Sequence, residues 1–93
     1  MEYWKVLWHH DLAEEPVTFF SEIGADGYEV RKVQGYRDGR LLRADHWRES
    51  GTIGLSEVPV GLIEDVQAQA EFSATVIHKA EFVAVWERAS WPV

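Results

Sequence analysis

The residues best suited to acid–base chemistry are His9, His10 and Asp11, at the end of the first predicted strand. A histidine oriented by a carboxylate is a common general acid–base group, so His10 with Asp11 is the predicted catalytic pair. Successive strand residues point to opposite faces, so His9 and His10 are not expected to bind one metal together. A metal would have to recruit His46 or Asp45, and because the sequence has no HExxH-like spacing we predict no metal site. The alternative is that these histidines lie on the surface or make structural hydrogen bonds.

A second charged set, Glu22, Glu29, Arg31 and Arg43, lies on the strands that follow. In an uninterrupted strand Glu29 and Arg31 share a face, so cross-strand contacts with Glu22 and Arg43 would form a charged network. Either arginine could bind an anionic group beside His10 in an enzyme. The alternative is a solvated sheet face in which each ion pair adds little stability.

The charge is unevenly distributed along the chain. The net charge is −7, which argues against general nucleic-acid binding. Residues 31–48 hold six of the nine basic groups and two acids, a local balance of +4, and the rest of the chain carries −11. Tyr36 and Trp47 could stack on single-stranded bases within this basic segment, but the acidic remainder makes that a minor hypothesis. The asymmetry suits an electrostatically steered protein partner, with Trp47 among the predicted binding residues. Alternatively, these basic groups pair with neighbouring carboxylates and prevent edge pairing.

The chain lacks the sequence features that several functional classes require. The chain has no cysteine, which excludes disulfides and thiol nucleophiles. It has no P-loop and no G-x-S-x-G motif, and we predict no cofactor. No apolar run is long enough for a membrane span, and the first residues lack a signal-peptide pattern, so a cytoplasmic location without membrane contact is expected.

Two Asp-Gly turns define the elements that must position these groups. Asp26-Gly27 and Asp38-Gly39 predict type I′ hairpins, which give strands at about residues 17–23, 28–36 and 40–47. Val30 and Val33 have opposite parity, which predicts a bulge near Arg31 and Lys32.

The remaining pattern predicts one α+β domain over residues 1–93. Alternation over residues 2–9 indicates a first strand, β-branched residues favour a fifth strand at 72–77, and Leu62, Ile63 and Val66 fit a short helix. Residues 79–89 carry the apolar stripe of a closing helix, in which Trp86 is expected to pack in the core, as is Trp91 after it. The expected architecture is an antiparallel sheet of four to five strands, in the order β-β-β-β-α-β-α, with helices packed on one face. Residues 48–59 form an irregular connection that either binds a ligand or packs over the sheet.

Short motifs distributed over nearly the whole chain match a known family. They are Trp8 with His10-Asp11, Glu15-Pro16-Val17, Ser21-Glu22, Asp26-Gly27-Tyr28-Glu29-Val30-Arg31-Lys32-Val33, Asp38-Gly39-Arg40, Ala44, Glu57-Val58-Pro59, and Glu81-Phe82 with Trp86. The sequence resembles a family of small bacterial proteins, best represented in actinobacteria, that is catalogued as a domain of unknown function. It departs from the family pattern at His78, where that pattern has a Ser-like helix cap. The resemblance implies one intact domain and no mechanism.

Two functions are compatible with these residues. The first is a non-enzymatic protein-interaction module, a monomer or homodimer, that could act as an acidic inhibitor or immunity-type partner of a basic enzyme. The second is a small enzyme or small-molecule-binding protein of a biosynthetic pathway. It would use His10, Asp11, Glu29 and Arg31 around one pocket. A closed pocket that contains these four groups would favour the second function, and a flat charged face would favour the first.

Overall fold

The computed structural model describes residues 1–92 as a five-stranded antiparallel sheet with two short helices. The elements are β1 (Glu2–Trp8), β2 (Thr18–Ile23), β3 (Glu29–Gly35), β4 (Leu41–Asp45), α1 (Ile63–Gln67), β5 (Phe72–Val76) and α2 (Lys79–Arg88). The strand order is β4-β3-β2-β1-β5. The predicted α+β class and element order are confirmed.

Strand alternation gives the sheet two different faces. We call one the helix face, because α2 crosses it and Phe82, which is fully buried, packs its ring 5.5 Å from that of Tyr3. We call the other the loop face, because residues 52–60 of the connection between β4 and α1 run over it and bury Ile53 there. The prediction that both helices share one face needs correction. The short helix α1 packs beside β5 and borders the loop face, where Val66 lies in one groove with Trp4.

Both hairpins turn differently from the prediction. Gly27 and Gly39 have φ of 84° and 92°, and no other residue type among those described has a positive φ. A type I′ turn needs positive φ at both central residues, so that prediction was wrong. Each turn is instead a type I turn closed by a left-handed glycine, with Gly27 N–H donating to Gly24 O and Gly39 N–H donating to Tyr36 O. The Asp-Gly signal located the hairpins because the three-residue loop also requires that glycine.

One irregularity in β3 determines which charged groups meet. Glu22 pairs with Arg31, whereas the next β2 residue, Ile23, pairs with Glu29. Val30 is therefore an extra residue, and the bulge lies just before the predicted position. Because it resets the alternation, Glu29 points to the loop face and Arg31 to the helix face.

The outer edge of β4 is partly covered by the segment that follows α2. Arg43 N–H donates to Ser90 O and Ser90 N–H donates to Leu41 O, each at 2.9 Å. These bonds fix Trp91 beside β4. Within residues 1–92, no helix has the length and apolar character needed to cross a membrane.

Candidate functional site

The first part of the predicted charged network is a bidentate ion pair on the helix face. Arg31 donates from Nε to Glu22 Oε1 at 2.7 Å and from Nη2 to Oε2 at 2.9 Å. The Glu22 side chain is 6% exposed and the Arg31 side chain 24% exposed. The hydrogen bonds from Arg31 hold the pKa of Glu22 below its usual value, and the same bonds raise the pKa of Arg31. Burial, followed by the nearby Glu22 carboxylate, raises the pKa of Tyr3. The pair is thus a structural element of the covered face.

Arg43 continues this face as part of an alternating series of guanidinium groups and indole rings, which we call the arginine–tryptophan stack. Its cation-to-ring distances are 4.8 Å for Arg31–Trp86, 5.0 Å for Arg43–Trp86, 4.6 Å for Arg43–Trp91 and 4.6 Å for Arg48–Trp91. Arg43 also donates from Nη1 to Trp86 O at 2.9 Å. Guanidinium groups bind flat against aromatic rings. The stack therefore connects the buried pair to the surface at β4.

The exposed end of the stack carries the predicted aromatic binding residue. Trp47 is 85% exposed and directly precedes Arg48, which is also exposed. The backbone N–H groups of both residues donate to Asp45 Oδ1 at 3.0 Å, so one carboxylate holds this turn in place. We call Trp47, Arg48, Arg43 and Trp91 the basic aromatic edge. In the described part of the chain neither Arg43 nor Arg48 forms an ion pair. The guanidinium of Arg48 is exposed, whereas that of Arg43 is half-buried between Trp86 and Trp91, with its Nε buried.

Glu29 lies on the loop face and is therefore separated from the charged residues of the helix face. Its Oε2 accepts a hydrogen bond from Ser21 Oγ at 2.8 Å, and its Oε1 accepts one from Ser56 N–H at 2.6 Å. Lys32 Nζ lies 3.0 Å from the same Oε1. The carboxylate thereby fastens the irregular connection to the sheet. The predicted single network of Glu22, Glu29, Arg31 and Arg43 does not form, because the bulge at Val30 sends Glu29 to the opposite face.

The predicted catalytic pair lies elsewhere, at the end of β1. The His10 ring lies 4.0 Å from that of Trp8, and both of its nitrogens bind backbone. Nε2 lies 2.8 Å from Pro16 O, and Nδ1 accepts the N–H of Leu12 at 2.9 Å, which assigns the proton to Nε2. Arg37 donates to the His10 carbonyl. In this arrangement neither ring nitrogen is free to take a substrate proton.

The other members of the acid–base set do not approach His10. Asp11 is exposed and makes no hydrogen bond with the ring in the described residues. His46 packs edge-on to Trp47 at 6.0 Å, at the far end of β4. Across residues 1–92 no group of three or more His, Asp or Glu is placed to hold a metal ion.

Sequence reasoning missed two contributors to the basic aromatic edge. Trp91 was expected to be a core residue and Arg48 was counted only as part of a basic segment, yet they stack on each other. Trp91 follows the helix and has no periodic relation to β4, so no spacing rule could pair them. The local excess of arginine over residues 31–48 was the available signal.

No curated protein and no solved structure shows a significant match to the chain. A model of the family described as a domain of unknown function, DUF6881, matches residues 2–91, and the protein therefore belongs to that family.

Proposed function

We propose that this protein is a non-enzymatic protein-interaction module that binds its partner through the basic aromatic edge. The observation that carries the proposal is the 85% exposure of Trp47 beside Arg48 at the open end of the arginine–tryptophan stack. Tryptophan and arginine are the residue types that most often dominate the binding energy of protein interfaces. The exposed indole of Trp47, which adjoins the last arginine of the stack in sequence and contacts only the His46 ring among the described aromatic pairs, is suited to insertion into a partner.

The charge of this edge indicates the chemistry of the partner. Arg43 and Arg48 are without carboxylate partners among the described residues, while the chain as a whole carries −7. A partner site rich in Asp and Glu would be attracted to the edge and repelled elsewhere, which orients the encounter. Because a guanidinium stacked on Trp91 is already ordered, binding would cost less side-chain entropy than it would for a free arginine.

The placement of the predicted catalytic residues favours a binding role over an enzymatic one. His10 and Asp11 lie at the end of β1, Glu29 on the loop face and Arg31 under α2. One substrate cannot contact all four groups. Both ring nitrogens of His10 are bonded to backbone groups of Pro16 and Leu12, so an acid–base function would require this loop to rearrange.

To test the proposal, a partner is isolated gently from the native host, identified by native mass spectrometry and titrated against variants of the basic aromatic edge. Trp47→Ala is expected to weaken binding at least tenfold, as for an interface hot spot. Arg48→Glu is expected to weaken binding at low salt, with a smaller effect at high salt because the attraction is screened. Leu12→Ala and Lys79→Glu are the controls, since both residues are exposed and lie away from β4.

The outcomes separate this proposal from its alternatives. Unchanged affinity of both edge variants would place the interface elsewhere and overturn the proposal. An inhibitor or immunity-type role against a basic protein would use the acidic surface. In that case Arg48→Glu would strengthen binding at low salt, as Lys79→Glu would. Turnover of a co-purified small molecule by the protein would instead support the enzymatic alternative.

A further inference from the structure

We propose that the groove on the loop face binds a small, neutral, planar apolar molecule that carries one hydrogen-bond acceptor. The groove lies between the sheet and the segment that includes Ser56, Val60 and Val66. It contains no residue of the basic aromatic edge, so it is a second site that is independent of the proposed protein interface.

The walls of the groove are apolar on both sides. Trp4, Phe19 and Phe72 contribute aromatic rings from β1, β2 and β5, and Val60 and Val66 face them from the covering segment. The cavity volume is about 400 Å³. This lies within the range of roughly 300–1,000 Å³ that is typical of small-molecule sites. Aromatic walls of this size are suited to a flat body of about two fused rings.

The inner polar end of the groove is the ion pair of Lys32 with Glu29, which offers one hydrogen-bond donor without a net charge; the amide of Gln69, which also lines the groove, is exposed. Lys32 Nζ contacts Glu29 Oε1 at 3.0 Å and donates to Gly54 O at 3.1 Å. An ammonium group has three N–H donors, so one remains for a ligand. The Glu29 carboxylate, in turn, already binds Ser21, Ser56 and Lys32. The Glu29 side chain is only 4% exposed and that of Lys32 is 17% exposed, so the accessible group of this pair is the third donor of Lys32.

This arrangement selects against charged ligands. The ammonium of Lys32 and the carboxylate of Glu29 neutralise each other, so an anion gains little and would draw Lys32 away from a carboxylate that is 4% exposed. A cation would meet the ammonium directly. A carbonyl or ether oxygen takes the remaining proton without breaking any existing bond.

The test uses three naphthalenes of similar shape: 2-acetylnaphthalene, 2-ethylnaphthalene and 2-naphthoate. Titration of the ¹⁵N-labelled protein is expected to shift the Trp4 indole N–H and the amides of Ser56 and Phe72. The ketone should bind at least threefold more tightly than the ethyl compound, because it gains one hydrogen bond. It should also bind more tightly than the carboxylate. Absence of binding by the ketone, equal affinity of the ethyl compound, or tighter binding of the carboxylate would overturn the proposal.

Variants of α1 locate the binding. Val66→Phe fills the groove and is expected to abolish binding, whereas Glu64→Phe adds the same ring at an exposed position of the same helix and should leave the affinity unchanged. Intermolecular NOEs from the ketone methyl group to Trp4 or Phe72 in the wild-type protein provide a test that no folding defect can affect. NOEs to Trp47 instead would contradict the site. Trp47→Ala should leave probe binding unchanged, so failure here is distinguishable from failure of the protein-interaction proposal.

Discussion

Arg31 and Glu22 form a two-bond ion pair, at 2.7 and 2.9 Å, that is covered by the rings of Phe82 and Trp86. The pair lies between adjacent strands and under α2, so it connects the centre of the sheet to the helix that covers it. Removing one member would leave the other partly buried without its partner. That loss is more costly than the loss of a surface ion pair.

Glu22→Gln should lower the free energy of unfolding at pH 7 by about 2 kcal/mol. This is less than the roughly 3–5 kcal/mol lost when a fully buried pair is broken, because Arg31 is 24% exposed. The pKa of Glu22 is depressed in the folded state, so its contribution is present above the unfolded value of 4.5 and is lost as the pH falls through the folded value. Urea unfolding between pH 3 and pH 7 should show the two proteins converging in acid. An equal difference at pH 3 and pH 7 would contradict this assignment.

Arg43→Lys should destabilise the protein by about 1–2 kcal/mol, although the charge is kept. Lysine cannot lie flat between Trp86 and Trp91 or reproduce the bond from Nη1 to Trp86 O. Arg88→Lys is the matched control, because Arg88 is exposed at the end of α2, and it should change the stability by less than about 0.5 kcal/mol. Thermal unfolding of both variants measures the difference. Similar losses in the two would show that the stack adds no specific stability.

The order of the elements could be predicted from sequence because it depends on local signals. The Asp-Gly dipeptides marked both hairpins, and the stripe containing Phe82 and Trp86 marked α2, which begins at Lys79 as predicted. The departure from the family pattern at His78 does not move this start. The Glu81 carboxylate lies 3.5 Å from His78 N–H and can serve that end of the helix.

The candidate site could be predicted only in part, because it depends on one residue of register and on contacts distant in sequence. Strand alternation predicted cross-strand contacts between Glu22 and the charged residues of β3, and Glu22 does pair with Arg31, but the bulge fell at Val30 and moved Glu29 to the other face. The position of a bulge depends on the register between a strand and its neighbour, here β2, and the sequence of β3 alone does not give that register. The contact between Arg48 and Trp91 spans 43 residues and has no local sequence signal.

Glu29→Gln should loosen the connection on the loop face while leaving the sheet intact. The variant loses the charge that Lys32 contacts and one of the acceptors used by Ser21 and Ser56. Amide hydrogen exchange at Ser56 is expected to accelerate at least tenfold, with little change in the amides of β1. Ser21→Ala, which removes only one of the three contacts, should cost about 1 kcal/mol and have a smaller effect on Ser56. Unchanged exchange at Ser56 in Glu29→Gln would show that this carboxylate does not hold the connection to the sheet.

His10→Phe should destabilise the loop before β2 by about 1–2 kcal/mol, because the ring can still pack on Trp8 but loses its bonds to Pro16 and Leu12. Asp11→Asn should change stability by less than about 0.5 kcal/mol, since Asp11 is exposed. Limited proteolysis of residues 10–16, with thermal unfolding, measures both. If Asp11→Asn opened the loop as much as His10→Phe, the two residues would be acting as the predicted pair.

Gly39→Ala should destabilise the second hairpin by about 1–2 kcal/mol through backbone conformation alone. Gly39 has φ of 92°, which disfavours any residue with a Cβ, while an added Cβ would meet no atom within 4 Å. Gly51→Ala is the matched control, because its Cβ would also meet nothing within 4 Å and its φ is not positive. That variant should be neutral or stabilising by a few tenths of a kcal/mol, because alanine restricts the unfolded chain. Urea unfolding of the two variants isolates the cost of the left-handed conformation. Equal stabilities would mean that the turn after β3 can adopt another conformation, and that this glycine does not fix the position of Arg40 and the start of β4.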